Sequence, residues 1–357
     1  MNILLVRLRL IGDVVFTTPL IRALRGRYPS ARLVYVVESA AAPVVTNNRH
    51  LSDVLVVPHR RGWRRLADDL RIGRALRAER FDVAIDLHGG PRSAWLTWAS
   101  RAPVRVGYDV SGRSWMYTRV IHRPRTLRPR HSVENQWDLL AAVDDAFLTP
   151  PDPDRDRVEM PVDQAALTRV RARLRALGPP PGAQIIVLHV SAGNPFRRWP
   201  ESAFAALAAD LAADHDRRWV VVTSGPSDHE AALRVVADAR QRAGPAALRV
   251  VDADGLSLAE LRALMDEAAL FVGGDSGPLH IAATSTVPIV GLYGPTLPER
   301  SAPWRPRRLA AAAVDAGALP CRPCGQRVCA PGDFRCLTGV PADTVRDAAR
   351  RLLGGVP

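Results

Sequence analysis

Short, nearly unbroken apolar runs alternate with longer amphipathic stretches along the whole chain. In the first half the runs are "ILLVRL", "RLVYVVE", "DVLVVP", "FDVAIDLHG" and "VRVGYD". Each is too short for a helix and too uniformly apolar for a strand wetted on one face. They therefore predict parallel strands covered by helices on both sides. Between them, "PLIRALRGRYP" predicts a helix with Thr18 as its cap, Pro19 at its first position and Gly26 at its end. The second half repeats the alternation with "AQIIVLHVSAG", "RWVVVTSGP", "LRVVDADG", "LFVGGDSG" and "VPIVGLYGP", separated by helices such as "ESAFAALAADLAADH". The pattern predicts an α/β protein of two Rossmann-like domains, with parallel sheets facing across a cleft and ligands at the carboxyl ends of the strands.

A Pro- and Asp-rich stretch, "LTPPDPDRDRVEMPVD" (148 to 163), interrupts the alternation and reads as a linker. It divides the chain into a first domain over 1–163, a second over 164–340 and a terminal helix over 341–357, for which Asp343 is the candidate cap. No run approaches the roughly 18 apolar residues of a membrane span. Arg7, Arg9 and Asp13 break up the apolar start that a signal peptide would need, so a cytoplasmic protein is expected.

Charge changes the picture more than composition does. The net charge is +13 and every one of the 49 basic residues is arginine. Such an excess favours acidic partners: phosphorylated substrates, anionic lipid or nucleic acid. Nucleic acid is disfavoured because the arginines are dispersed and no recognition motif accompanies them. The four cysteines, Cys321, Cys324, Cys329 and Cys336, fall in "CRPCGQRVCAPGDFRC". That spacing suits a structural zinc or iron–sulfur site, or a Pro/Gly-rich loop of free thiols.

Three strand-to-helix turns in the second half carry candidate chemistry. In "FVGGDSGPLHIAA", Gly273 and Gly274 admit a ligand close to the backbone, and Asp275, Ser276 and Gly277 turn into a helix start that suits phosphate. Asp275 would repel phosphate and more naturally accepts sugar hydroxyls, or it only caps the helix with Ser276. In "LHVSAGNPFRRWPESAF", Ser191, Gly193 and Asn194 are small donors beside Arg197 and Arg198, whose guanidinium groups suit a diphosphate. In "VVTSGPSDHEAA", Gly225 permits close approach and Glu230 can accept from a ribose. No Gly-x-Gly-x-x-Gly follows a strand, which counts against a nicotinamide-dependent dehydrogenase, and the absence of a P-loop excludes a P-loop ATPase. At the other end of the chain, "RLRLIGDVVFTTPLIRAL" places Gly12 and Asp13 between a strand and a helix, where Asp13 is a helix-start charge or a catalyst.

Together with "DLHGGPRSA" and "GLYGPTLPER", these ordered stretches resemble glycosyltransferase family 9, the ADP-heptose:lipopolysaccharide heptosyltransferases, over nearly the full chain. The resemblance implies a GT-B fold, an acceptor domain followed by a nucleotide-sugar domain, and a last helix that packs back on the first. It implies inverting transfer of heptose from ADP-heptose to a lipopolysaccharide core without a required cofactor, at the inner face of the cytoplasmic membrane, where the basic surface meets anionic lipid. Asp13 would be the general base, its basicity raised by desolvation in a closed cleft. Arg197 would contact the diphosphate where the family places lysine, with Arg198 as the neighbouring candidate. Ser191, Asn194, Ser276 and Gly277 would hold phosphate, Asp275 the donor sugar with His280 nearby, and Gly225 and Glu230 the ribose side. His88, Arg92 and Ser93 are acceptor candidates, or simply pack their loop. A different nucleotide sugar or acceptor, and a non-catalytic sugar-nucleotide binder, remain the alternatives.

Overall fold

The structure is a computed structural model and describes residues 1–60, 62–122, 130–190 and 194–354. The chain divides into two compact units, Met1–Pro161 and Val162–Pro357. The division falls within the Pro- and Asp-rich stretch. Val158 and Met160 of that stretch are buried, and Glu159 donates its N–H to Thr18 Oγ1 at 2.9 Å inside the first unit.

The first unit contains a six-stranded sheet of β1 (Asn2–Val6), β2 (Arg32–Glu38), β3 (Asp53–Val57), β4 (Val83–Asp86), β5 (Val104–Tyr108) and β6 (Arg119–Ile121), in the order β3-β2-β1-β4-β5-β6. The second contains β7 (Gln184–His189), β8 (Arg218–Thr223), β9 (Val250–Asp252), β10 (Leu270–Gly274), β11 (Ile289–Tyr293) and β12 (Ala311–Asp315), in the order β12-β11-β10-β7-β8-β9. All pairs are parallel. The strand order reverses between β1 and β4 in one sheet and between β7 and β10 in the other. At such a point the two following loops leave for opposite faces and open a crevice at the carboxyl edge.

Ten of the twelve strands coincide with the apolar runs, and the other two are edges. β12 is the run "AAAVD", whose alanines carry little strand propensity, and β6 is three residues long. The central strands are almost entirely buried: Ile3, Leu4, Leu5 and Val6 in β1, and Phe271 and Val272 in β10. The segment after β1 departs from expectation. A short helix, Ile11–Val15, precedes the helix Thr18–Arg27, and no side chain caps the second. Thr18 begins that helix, donating its hydroxyl back to Val15 O at 2.8 Å, and Gly26 lies inside its last turn. Likewise Asp343 sits within the first turn of the helix Ala342–Gly354, paired with Arg346 at 2.8 Å. That terminal helix lies against β10, β11, β12 and the helix Glu201–Ala213 of its own unit.

Gly107 of β5 is a point where packing and site support meet. A Cβ there would stand 2.4 Å from the Tyr117 ring, whose hydroxyl donates to the buried Asp86 carboxylate at 2.6 Å. Gly107→Ala must displace that ring and is expected to cost about 1–3 kcal/mol. Thermal denaturation should show a loss of several degrees; an unchanged Tm would mean that the ring relaxes freely.

Candidate functional site

Each crevice holds some of the side chains that the turns were expected to supply. In the first unit, the chain leaving β1 bends at Leu10, where φ is 70°, and folds the helix Ile11–Val15 back over the strand end. Asp13 lies in the first turn of that helix and accepts from Arg7 Nη2, while Arg7 Nη1 donates to Leu87 O beyond β4. One largely buried guanidinium therefore ties the turn after β1 to the turn after β4 and fixes where the Asp13 carboxylate points.

The turn after β4 is organised by Asp86, a carboxylate with no solvent exposure. Burial pushes its pKa up, against the opposing pull of Tyr117, the Gly89 and His88 N–H groups, and Ser93. The His88 and Gly89 amides donate to Asp86 Oδ1 at 2.8 and 2.9 Å, and Ser93 Oγ donates to Oδ2 at 3.0 Å. Ser93 is itself fully buried, so its hydroxyl is engaged in holding the loop. Arg92 is also buried, bonded to Glu38 at 2.8 Å and to Asp69 at 2.7 Å. His88 remains half-buried beside a cavity of about 160 Å3 shared with Arg9, His59, Arg60 and Arg65. Burial and then the nearby Arg7 and Arg9 push the His88 pKa down to about 4, so the ring is neutral at pH 7.

In the second unit side chains from the loops after β7 and β10 reach one another. Ser191 and Gly193 lie outside the described residues. Asn194 Oδ1 accepts from Phe196 N at 3.0 Å and opens the 3₁₀ turn Pro195–Arg197. Arg197 reaches across to the β10 turn, where its Nη1 donates to the Asp275 carbonyl at 2.8 Å and stands 3.3 Å from Asp275 Oδ2. Asp275 is 1% exposed, and Thr296, from the turn after β11, donates its hydroxyl to Oδ2. Burial alone would raise the Asp275 pKa, but His280, Arg197 and Thr296 together hold it at about 2. The group is a permanent, rigidly held anion. The helix it precedes, Gly277–Ala282, has six residues and Ser276 makes no side-chain cap bond. Ser276 Oγ is buried without a hydrogen-bond partner, the state that a ligand oxygen relieves.

The remaining candidates lie at the neighbouring turn after β8. Arg198 pairs with the buried Asp228 at 2.7 Å and so faces away from Asp275, which separates the roles of the two adjacent arginines. Glu230 is exposed in the first turn of the helix His229–Ala243, and Gly225 is half-buried at the end of β8.

Sequence reasoning missed three members of this arrangement. Thr296 stands in "GLYGPTLPER", a turn on the same edge as β10, and that placement was its available signal. Asp228 precedes Glu230 in a turn already singled out. Gln326 had no signal: it lies among the cysteines at φ 55°, yet its Oε1 accepts from both Asn194 Nδ2 at 2.9 Å and Arg197 Nε at 2.8 Å. The same segment braces the β11 turn, because Cys324 N donates to Pro295 O at 3.1 Å and Arg322 Nη2 to Thr296 O at 2.9 Å. The cysteines are free, half-buried thiols, and the Cys336 thiol is pushed up by burial and by the other three. Among the described residues, no group of three or more His, Cys, Asp or Glu side chains is arranged to hold a metal.

The family model for "Glycosyltransferase family 9 (heptosyltransferase)" matches residues 70–331. The chain is 27% identical over 352 residues to lipopolysaccharide heptosyltransferase 3 of Escherichia coli, covering 97% of each protein. The glycosyl transferase family 9 structure from Veillonella parvula superposes with a TM-score of 0.81 at 23% identity, covering 99% of this chain and 97% of that one. E. coli ADP-heptose lps heptosyltransferase II gives a TM-score of 0.77 at 21% identity, covering 99% and 98%. The fold is GT-B.

Two measurable consequences follow from these geometries. His189, at the end of β7, is buried and donates to or accepts from Thr223 Oγ1 at 2.9 Å; burial pushes its pKa from 6.5 to about 4. Between pH 6.5 and 4 the unfolded chain binds a proton that the folded chain refuses, so stability falls as pH falls through that window. The loss from His189 alone is on the order of 3 kcal/mol. Urea denaturation of His189→Asn should therefore show a flatter decline from pH 6.5 to 4.5 than wild type; parallel curves would contradict the assignment. Gln326→Met, which keeps length but removes the shared acceptor, should leave Tm within about two degrees. It should weaken binding of an anionic ligand at Arg197 by about tenfold in calorimetry. Equal affinity would show that Arg197 holds its place without Gln326.

Proposed function

The chain belongs to glycosyltransferase family 9, and from that premise we propose that it transfers heptose from ADP-heptose to a lipopolysaccharide core acceptor with inversion at the anomeric carbon. The observation that carries the reading is the convergence of Arg197, Asp275, Thr296 and the buried Ser276 hydroxyl where the loops of β7 and β10 part. A cation and a fixed anion side by side suit a ligand that has both a diphosphate and a polyhydroxylated sugar. Arg197 faces the diphosphate, Ser276 and Gly277 its oxygens, and Asp275, with His280 beside it, the sugar hydroxyls. Ser191 and Asn194 complete the phosphate side, and Gly225 and Glu230 the ribose side. The names of the E. coli relatives, which specify heptose and lipopolysaccharide, support the choice of donor and acceptor.

In this reading Asp13 takes the proton from the attacking acceptor hydroxyl. That oxygen bonds to the anomeric carbon on the face opposite the diphosphate, and the carbon–oxygen bond to the β-phosphate breaks with its electron pair. ADP departs with the added negative charge facing Arg197. Arg7 keeps the Asp13 carboxylate turned toward its substrate, and His88, neutral at pH 7, offers a ring nitrogen to the acceptor. Arg92 and Ser93 act by holding the His88 loop. The reading requires no cofactor, and it places the protein on the cytoplasmic side of the inner membrane, where such an acceptor is built.

The test pairs calorimetric titration of ADP-heptose, ADP, GDP and UDP with turnover on a core-truncated lipopolysaccharide. Asp13→Asn should bind ADP-heptose as wild type does while kcat falls by about 10²–10⁴-fold. Arg197→Gln should lose both donor affinity and kcat. Preferential binding of GDP or UDP would overturn the donor, and full turnover by Asp13→Asn would overturn the base.

A further inference from the structure

The helix Gly62–Ala78 of the first unit has two apolar faces, and only one of them is used. Ile72 and Leu76 are buried, and Gly73 lets the helix settle against Trp95 and Ala99 of the helix Pro91–Ala99, since a Cβ there would stand 2.8 Å from the Trp95 ring. The other face presents Trp63, Leu66 and Leu70, which are 73%, 63% and 52% exposed. Their spacing of three and then four residues puts them in one stripe along the helix surface. Scattered apolar residues on a surface need no explanation, but a contiguous stripe of two leucines and a tryptophan does.

Charge around the stripe identifies what covers it. Residues 60–78 contain seven arginines and two acidic residues, Asp68 and Asp69. Both acids are turned into the protein and paired, Asp68 with Arg71 at 2.9 Å and Asp69 with Arg92 at 2.7 Å. The Arg64 guanidinium lies 5.6 Å from the centre of the Trp63 ring. A second copy of this chain would bring the same excess of positive charge against itself, and nucleic acid would leave the two leucines in water. An interface of anionic headgroups over acyl chains satisfies both components at once: tryptophan and leucine enter the boundary, and the arginines stay among the headgroups. Among the described residues no helix is long and apolar enough to cross a membrane, so any attachment by this helix is to a surface.

We infer that the Trp63–Leu66–Leu70 face, flanked by arginines, docks the protein on an anionic bilayer surface. The inference rests on the proposed acceptor being lipid-borne. Arg60, which precedes the same helix in sequence, and Arg65, in its first turn, line the cavity beside His88. Docking along this face therefore sets the mouth of that cavity at headgroup level, where the glycan of an anchored acceptor leaves the bilayer.

The test uses the full-length protein with vesicles of phosphatidylcholine alone or with about 30% phosphatidylglycerol. Wild type should cosediment with the anionic vesicles and be released by salt. Trp63→Ser/Leu66→Ser/Leu70→Ser should bind them at least about tenfold more weakly, with Tm and ADP affinity unchanged because all three side chains are exposed. Arg64→Glu/Arg71→Glu/Arg74→Glu should also lose binding. On a water-soluble acceptor fragment the serine variant should turn over like wild type, whereas on the same glycan anchored in vesicles its rate should fall about tenfold. Binding of the serine variant equal to wild type, or a wild type indifferent to phosphatidylglycerol, would overturn the inference. So would self-association of wild type that the serine variant abolishes, which would make a second copy the occupant. Failure of wild type to turn over the soluble fragment would count against the proposed reaction, and the vesicle assay reads docking separately.

Discussion

A parallel sheet delivers all its strand ends to one edge, and a reversal of strand order forces two adjacent loops apart there. Both sheets obey that constraint, with the reversal between β1 and β4 in one and between β7 and β10 in the other. The groups assigned to the chemistry of transfer lie on the loops released at those points. Asp13 and Arg7 follow β1, His88 follows β4, Arg197 follows β7 and Asp275 follows β10. The hydrophobic runs that make the strands thus determine where chemistry can occur, and the loop residues determine what it is.

What makes those loops rigid is the obligation to satisfy buried charge. A carboxylate taken out of water must find donors or lose its charge. Asp86 meets that demand with two backbone amides and two hydroxyls, and so shapes the turn that carries His88. Asp275 meets it with Thr296, Arg197 and His280 of the helix it precedes, drawing two other segments onto one turn. Asp228 meets it with Arg198. The same side chains that would recognise a ligand are therefore already ordered by contacts within the protein, which reduces the entropy that binding must overcome.

This distinction explains what could be read from sequence. The fold was legible because apolar periodicity is a local signal, and it faded only at β6 and β12, where the edge strands are short or built of alanine. The position of the candidate site was proposed from the turns that follow strands. The partners within the site were not. Arg198 and Arg197 are neighbours in sequence with equal claims on a diphosphate, and only the packing sends one to Asp228 and the other to Asp275. Ser93 reads as an acceptor contact or as a loop-packing hydroxyl until its bond to the buried Asp86 is seen. Gln326 lies 129 residues from the arginine it holds, beyond the reach of any spacing argument.

The same geometry bears on what an arginine does at position 197 that a lysine could not. A lysine carries its three donors on a single nitrogen, so bonds to separated acceptors compete for one point in space. Arg197 distributes its donors: Nε serves Gln326, Nη1 serves the Asp275 carbonyl, and both bonds lie at 2.8 Å. The guanidinium plane is thereby fixed by two anchors from different segments, one on the cysteine-bearing loop and one on the β10 turn. A planar cation held at two points has a defined edge to offer a diphosphate, and that orientation is a property the compact ammonium does not have. The arginine is thus coupled to its surroundings: it holds its orientation because Gln326 is present to receive its Nε.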